Sequence, residues 1–220
     1  MATPLEELAL FPLDTVVFPY AQLQMRVLEP KYVDLVRYCV QHDKGFGIVL
    51  RKESEGDDPY LVGTEVRIDR TETLGEGEIE VRVRGQRRFR VRRLDYGSKP
   101  FLTGLVEQIV ELEVEDTPRV DALTYRLREC VEEYIRVEFR HYDVNIQQVE
   151  LPPDPTALSF IVANLLKLEN IEKQRLLETT DTIERLSEIV PLLQRQIVDS
   201  RTTGPFRATP SMLTEWINPN

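Results

Sequence analysis

Ile79-Glu80-Val81-Arg82-Val83-Arg84-Gly85-Gln86-Arg87-Arg88-Phe89-Arg90-Val91-Arg92-Arg93-Leu94 is the stretch on which the fold turns. Ile79, Val81 and Val83 alternate with Glu80, Arg82 and Arg84, the period of two expected of a strand with one face buried. Gly85-Gln86 reads as a turn, and Arg88 to Leu94 as a returning strand with Phe89 and Val91 on its inner side. The reading is therefore an arginine-rich hairpin. Upstream, Thr64, Val66 and Ile68 alternate with Glu65, Arg67 and Asp69, and Gly75 to Glu78 supplies a turn. Further out, Gln22 to Val27 alternates Leu23, Met25 and Val27 against Gln22, Gln24 and Arg26. Phe46 to Leu50 is a short apolar run after Gly45, and Phe101 to Glu113 offers a final strand with Leu102, Leu105, Ile109 and Val110. Several short strands with Gly-marked turns predict a closed or half-closed barrel rather than a parallel sheet.

One helix interrupts this pattern. Glu29-Pro30 places proline where its missing N–H costs nothing, and Lys31 to Asp43 follows with Val33, Val36 and Val40 in one stripe and Leu35 and Cys39 beside it. Gly45 is the expected stop. After Thr117-Pro118 the period changes from two to near 3.6. Val120, Leu123, Leu127, Cys130, Val131, Tyr134 and Val137 mark one face, and Arg126, Glu129, Glu133, Arg136 and Arg140 the other. Leu151-Pro152-Pro153 breaks this helix from the next, which Asp154 caps with Pro155 behind it. Asn170 is the expected cap of a short helix bearing Leu176 and Leu177. Asp181 and Glu184 open a last one through Ile183, Leu186, Ile189, Val190, Leu193 and Ile197. Pro191 inside that run predicts a kink or a new start, because an interior proline costs about 3 kcal/mol. The expected organisation is a β-rich domain over 1–116, helices over 117–200 and a loose tail over 201–220, with docking of Phe206, Met212, Leu213 or Trp216 left open.

The chain has 220 residues, 41% hydrophobic and 30% charged, with a formal net charge of -10. That composition is globular, and the charge disfavours broad attraction to nucleic acid or anionic lipid. Met1 to Leu10 lacks a basic segment and carries Glu6 and Glu7. No apolar stretch approaches the roughly 18 residues of a membrane span. Two cysteines, Cys39 and Cys130, make no disulfide framework, so a reducing, cytoplasmic location is expected. Cys39 and His42 share a helical face at a metal-ligand spacing, but without a second pair they read as a buried thiol and a surface imidazole.

Motifs for chemistry are missing. There is no G-x-x-x-x-G-K-[ST], no H-E-x-x-H and no G-x-S-x-G. Gly75-Glu76-Gly77 fits a turn better than a dinucleotide loop. The expectation is no catalytic residue, no metal and no cofactor. Two surfaces remain. Val16, Val17, Phe18 and Tyr20 belong to a non-alternating apolar run bracketed by Pro12 and Pro19, read as either a buried connection or an exposed edge for peptide. Arg82 and Arg84, with Arg88, Arg90 and Arg92 on the partner strand of the hairpin, form a candidate polyanion ladder. Its competing reading is neutralisation across strands by Glu65, Asp69, Glu72, Glu76, Glu78 and Glu80. Few aromatics interleave with these arginines, which argues against base stacking.

Leu8-Ala9-Leu10-Phe11-Pro12-Leu13-Asp14-Thr15-Val16-Val17-Phe18-Pro19, followed by Leu28-Glu29-Pro30-Lys31-Tyr32, resembles the opening of the N-terminal domain of Lon protease. Val62-Gly63-Thr64 and Val83-Arg84-Gly85-Gln86-Arg87-Arg88-Phe89 are similar to its middle. Asp154-Pro155 with Leu158, Glu172-Lys173-Gln174 with Leu176-Leu177-Glu178, and Glu184-Arg185-Leu186 are similar to the helical segment after it. The resemblance spans about residues 5 to 198. It implies an α+β fold, a PUA-like β pseudobarrel followed by a C-terminal helical bundle, in a region that recognises substrates and helps assembly in full Lon enzymes. No position matches the nucleotide-binding lysine or the protease serine–lysine pair, and Asp14 stands where the family often has asparagine. The role this resemblance implies is that of a non-catalytic module that binds unfolded or apolar peptide segments or a protein partner, as an adaptor in protein quality control. Nucleic-acid binding through the arginine hairpin is the alternative.

Overall fold

The computed structural model describes residues 4–52, 58–115, 117–138 and 151–203. Two compact units divide the chain, 1–110 and 111–220.

The first unit holds six strands and one helix: β1 (Leu5–Leu13), β2 (Gln22–Val27), α1 (Pro30–Gln41), β3 (Phe46–Arg51), β4 (Pro59–Thr73), β5 (Ile79–Asp95) and β6 (Thr103–Gln108). The hydrogen-bonded order is β2-β5-β4-β3-β1-β6, and β6 returns to pair with β5. Five strands therefore close into a ring, which removes the edges an open sheet would expose. All pairings are antiparallel except β1 with β3. Leu8, Leu10, Val49, Phe89, Val91 and Val106 fill the barrel. A Cβ on Gly47 would stand 2.5 Å from the Phe89 ring, so only glycine lets that ring lie against β3.

Gly85-Gln86 is not a turn: β5 runs unbroken from Ile79 to Asp95, so the expected hairpin is one strand. Its register against β4 slips between Glu65↔Arg87 and Val66↔Gly85, leaving Gln86 as the extra residue of a bulge. Bulges bend a strand, and this one lets the first half of β5 serve β2 while the second half serves β6. Gly85 is there for close approach. Its N–H donates to the Ala21 carbonyl at 2.8 Å, and its carbonyl accepts from Tyr20 N at 2.9 Å.

The sequence pattern did not announce β1, because its core residues run continuously, Leu8 through Pro12, instead of alternating. A strand with both faces covered shows no period of two. In α1, Pro30 is at the first turn and Tyr32, Val33, Leu35, Val36 and Cys39 are buried, while Val40 points outward at 51% exposure. The helix stops at His42 with Asp43 in the left-handed region (φ 50), two residues before Gly45.

The second unit contains α2 (Pro118–Glu138), α3 (Pro155–Leu165), α4 (Asn170–Glu178) and α5 (Thr182–Thr203). Asp154 caps α3 by accepting from Ala157 N at 2.7 Å. Glu169, not Asn170, caps α4, in a reciprocal box with Glu172. Asp181 accepts from the Ile183 and Glu184 amides. α5 continues through Pro191, which lies on the exposed side, and reaches Thr203, so 201–203 are helical where a loose tail was expected. Phe206, Met212, Leu213 and Trp216 lie outside the described residues. α3 is buried almost all round, with Phe160, Val162 and Ala163 at its centre. The fully buried Arg185 of α5 holds it: Nε donates to Ser159 Oγ (2.8 Å), the fork donates to Thr179 O (2.6 Å) and Thr182 Oγ1 (3.1 Å), and the guanidinium lies 3.9 Å from the Phe160 ring centre. Burying a guanidinium is tolerable only when its donors are satisfied in this way.

Candidate functional site

Of the two readings of the apolar run, a buried connection or an exposed edge, burial holds for most of it. Val16, Val17 and Phe18 are buried, so they cannot present a peptide-binding edge; Tyr20 alone stands out, at 41% exposure with φ 69. The physical reason is the β5 bulge region: the chain at Phe18–Ala21 lies directly on Gly85, and Thr64 Oγ1 donates to the Val17 carbonyl at 2.6 Å.

The arginine ladder is likewise dispersed along one strand. Arg82 donates to Gln24 (3.0 Å), Arg84 pairs with Asp69 (3.3 Å), and Arg92 donates through Nε to Glu107 (2.8 Å). Arg88 is 1% exposed opposite Thr64, and Arg90 is half-buried opposite Val62 and Glu107. Of the acids expected to neutralise them, Glu65 holds the neighbouring Arg87 at 2.6 Å, Asp69 takes Arg84 and Glu72 takes Arg70. Glu6 and Glu107 join from β1 and β6.

What the fold assembles instead is a groove of about 370 Å³ on the barrel unit. Its walls are Tyr32, Tyr96 and Phe101 with Pro12, Pro100 and Leu102; Glu29, Lys31 and Arg51 form the rim. Larger hollows of about 740 and 510 Å³ exist near Asp43 and Lys44, but charged side chains line much of both. Apolar walls with a few placed polar groups are what a held organic segment needs.

Each wall residue is fixed by local structure. Tyr32 comes from the first turn of α1 and stacks on Phe11 of β1, ring centres 4.2 Å apart. Tyr96 follows β5 in a turn tied by Asp95, whose carboxylate accepts from Gly97 N (2.9 Å) and Ser98 N (3.1 Å); these bonds hold its pKa below the usual carboxylate value. The Tyr96 hydroxyl donates to Asp58, leaving the ring 55% exposed. At the rim, Arg51 donates to the Pro12 carbonyl (3.3 Å) and pairs with Asp14 (3.6 Å). Lys31 lies 4.8 Å from the Tyr32 ring centre and 3.4 Å from Glu29. Partial burial pulls the Lys31 ammonium down, but Tyr32 and Glu29 outweigh it and leave the pKa above the ordinary lysine value.

The rim is thus charge-balanced and the walls are aromatic. Among the described residues the lining carries no serine, cysteine or histidine, and the groups it does present offer contact surface and hydrogen bonds. The wall residues come from β1, α1 and the 96–102 turn, and such scatter hides a groove from sequence inspection. The one available signal was Asp95-Tyr96-Gly97-Ser98-Lys99-Pro100-Phe101, turn chemistry that carries two aromatics.

These features define a class: an α+β chain in which a closed barrel precedes a helical unit. Over residues 7–195 the chain matches the family described as the ATP-dependent protease La (LON) substrate-binding domain, and it belongs to that family. It is 30% identical over 202 residues to Lon protease 1 of Thermus thermophilus, a match covering 87% of this chain and 25% of that protein. To the Lon protease of Anaeromyxobacter dehalogenans it is 29% identical over 195 residues, covering 86% and 23%. The chain therefore spans about a quarter of the length of the curated relatives it matches. A crystal structure of a Lon N-terminal domain protein from Xanthomonas campestris superposes with a TM-score of 0.65 at 28% identity, covering 84% of this chain and 98% of that one. The N-terminal domain of the Mycobacterium avium complex Lon protease shares the fold, with a TM-score of 0.68 at 22% identity and coverage of 86% and 98%.

Proposed function

We propose that this chain is a non-catalytic polypeptide-holding module that takes extended, apolar side-chain-bearing segments into the Tyr32–Tyr96–Phe101 groove, and that it serves as an adaptor in protein quality control. The observation that carries this reading is an aromatic, proline-walled groove with a charge-balanced rim, on a chain of the LON substrate-binding family. Tyr96 is the exposed aromatic of the walls, and such a side chain supplies large contact area at low conformational cost, while the rim adds hydrogen bonds. A cytoplasmic setting fits the two buried free cysteines, and among the described residues no helix is long and apolar enough to cross a membrane. Nucleic-acid binding through the expected hairpin loses its geometric basis, since that hairpin is one strand with Arg88 inside it.

The test is fluorescence anisotropy of a labelled, unstructured peptide carrying aromatic and aliphatic residues. Tyr96→Ala removes an exposed wall without touching the core and is expected to weaken binding by about fivefold to tenfold, the cost of one interfacial aromatic. Undiminished affinity in a folded Tyr96→Ala protein refutes the groove. Release of new amino termini by the pure chain refutes the non-catalytic role.

A further inference from the structure

β4 and β5 extend past the barrel as an arm to which β2 adds a third strand, and the register of these strands aligns like charges. Arg67 is opposite Arg84 and Arg70 opposite Arg82; across β5 the same two rows continue into Gln22 and Gln24. Residues directly opposite in an antiparallel pair share a face, so four guanidinium groups and two amides occupy one side of the arm. Gln24, Arg70, Glu72, Glu80 and Arg82 indeed line one small hollow together. Cross-strand like charges are unfavourable, and the third row mixes the signs, with Glu80 opposite Arg26 on one side and Glu72 on the other. Neutralisation of the two arginine rows is partial. Asp69 takes Arg84 at 3.3 Å and Glu72 takes Arg70 at 3.4 Å, whereas Arg67 and Arg82 make no ion pair among the described residues. Arg67, Arg70 and Arg82 are exposed. In a chain of net charge -10 this is a local excess of positive charge.

We infer that this face binds an acidic polypeptide segment in extended conformation, a second recognition element that rests on the polypeptide-holding reading above and specifies its substrate class. Side chains two apart on an extended peptide are spaced about 6.7 Å, the same repeat that separates Arg82 from Arg84, and neighbouring strands are about 4.8 Å apart. Two acidic residues at alternate positions therefore meet two arginine rows, with carboxylates suited to forked guanidinium donors. A phosphodiester chain fits less well. The face has no aromatic for stacking, and Glu72 and Glu80 in the third row repel a backbone that stays anionic, whereas a peptide changes charge from residue to residue.

The experiment uses the full chain and three labelled Thr-alternating peptides carrying Glu, Gln or Lys, with a short oligothymidylate as the competing class. The Glu peptide is expected to bind more tightly than the Gln and Lys peptides and to lose affinity as sodium chloride rises from about 50 to about 300 mM. Arg67→Ser/Arg82→Ser is expected to weaken it about tenfold, while Tyr96→Ala leaves it unchanged; circular dichroism establishes that the double variant is folded. Equal binding of Glu and Gln peptides, or an unaffected double variant, overturns the inference. Oligothymidylate binding that exceeds the Glu peptide and vanishes in the double variant overturns it in favour of nucleic acid. The aromatic peptide separates the two proposals: if it binds and the Glu peptide does not, only this inference fails, and if neither binds, the polypeptide-holding reading fails as well.

Discussion

Gly85→Ala tests how the barrel is held. A Cβ at this position falls 2.2 Å from the Phe18 carbonyl oxygen and 3.2 Å from Pro19 Cα, so the Phe18–Ala21 chain must retreat by about 1 Å to reach ordinary contact. Retreat on that scale breaks the Tyr20 N to Gly85 O and Gly85 N to Ala21 O bonds, worth about 1 kcal/mol each. It also lifts Phe18 out of full burial, and overpacking a tight site costs about 1–3 kcal/mol. The expected loss is about 3 kcal/mol, out of the ~5–15 kcal/mol typical of a domain, with a fall in melting midpoint of about 6–12 °C. Urea unfolding followed by far-ultraviolet circular dichroism gives the number. Gly75→Ala is the control: nothing lies within 4 Å of its Cβ, and its cost is expected below about 1 kcal/mol. A Gly85→Ala loss under about 1 kcal/mol refutes close approach as the reason for glycine at this position.

Arg185→Met strips the donors from Ser159, Thr179 and Thr182 in the helical unit. It is expected to cost about 3 kcal/mol in urea unfolding, and Arg185→Lys is expected to restore little, because an ammonium cannot reproduce the fork. Burial pushes the Cys39 thiol up to about 11, with Lys44 and Lys99 only partly opposing it. Alkylation of Cys39 by iodoacetamide at pH 8 is therefore expected to be far slower in the native protein than in urea. Because the folded pKa is raised, the contribution of Cys39 to stability is complete below about 9 and is lost as pH climbs through about 11, so a stability profile that rises across that window contradicts the assignment. Tyr20→Asp is expected to leave peptide affinity unchanged in anisotropy titrations, since Tyr20 stands outside the groove.

Much of this architecture was legible from periodicity. β2 and the amphipathic face of α2 show their patterns openly, because each buries one side and leaves the other wet. β1 did not, because Leu8 through Pro12 are buried in succession, so both faces of the strand are covered and neither is polar. Gly85 misled for a related reason: glycine marks both turns and close approaches, and only the partner segment, more than sixty residues upstream in sequence, distinguishes them. Pro191 lies inside α5 without ending it, so of the two expected outcomes a new helix start does not occur there. The groove was illegible because no single segment encodes it, and the arginine rows were seen along β5 but not across to β4, where register decides which charges face each other.

Amide-resolved NMR during titration with the unlabelled aromatic peptide tests the central claim directly. Shifts concentrated at Glu29–Tyr32, Arg51 and Asp95–Leu102 are the predicted result. Saturating binding whose shifts leave those positions untouched contradicts it.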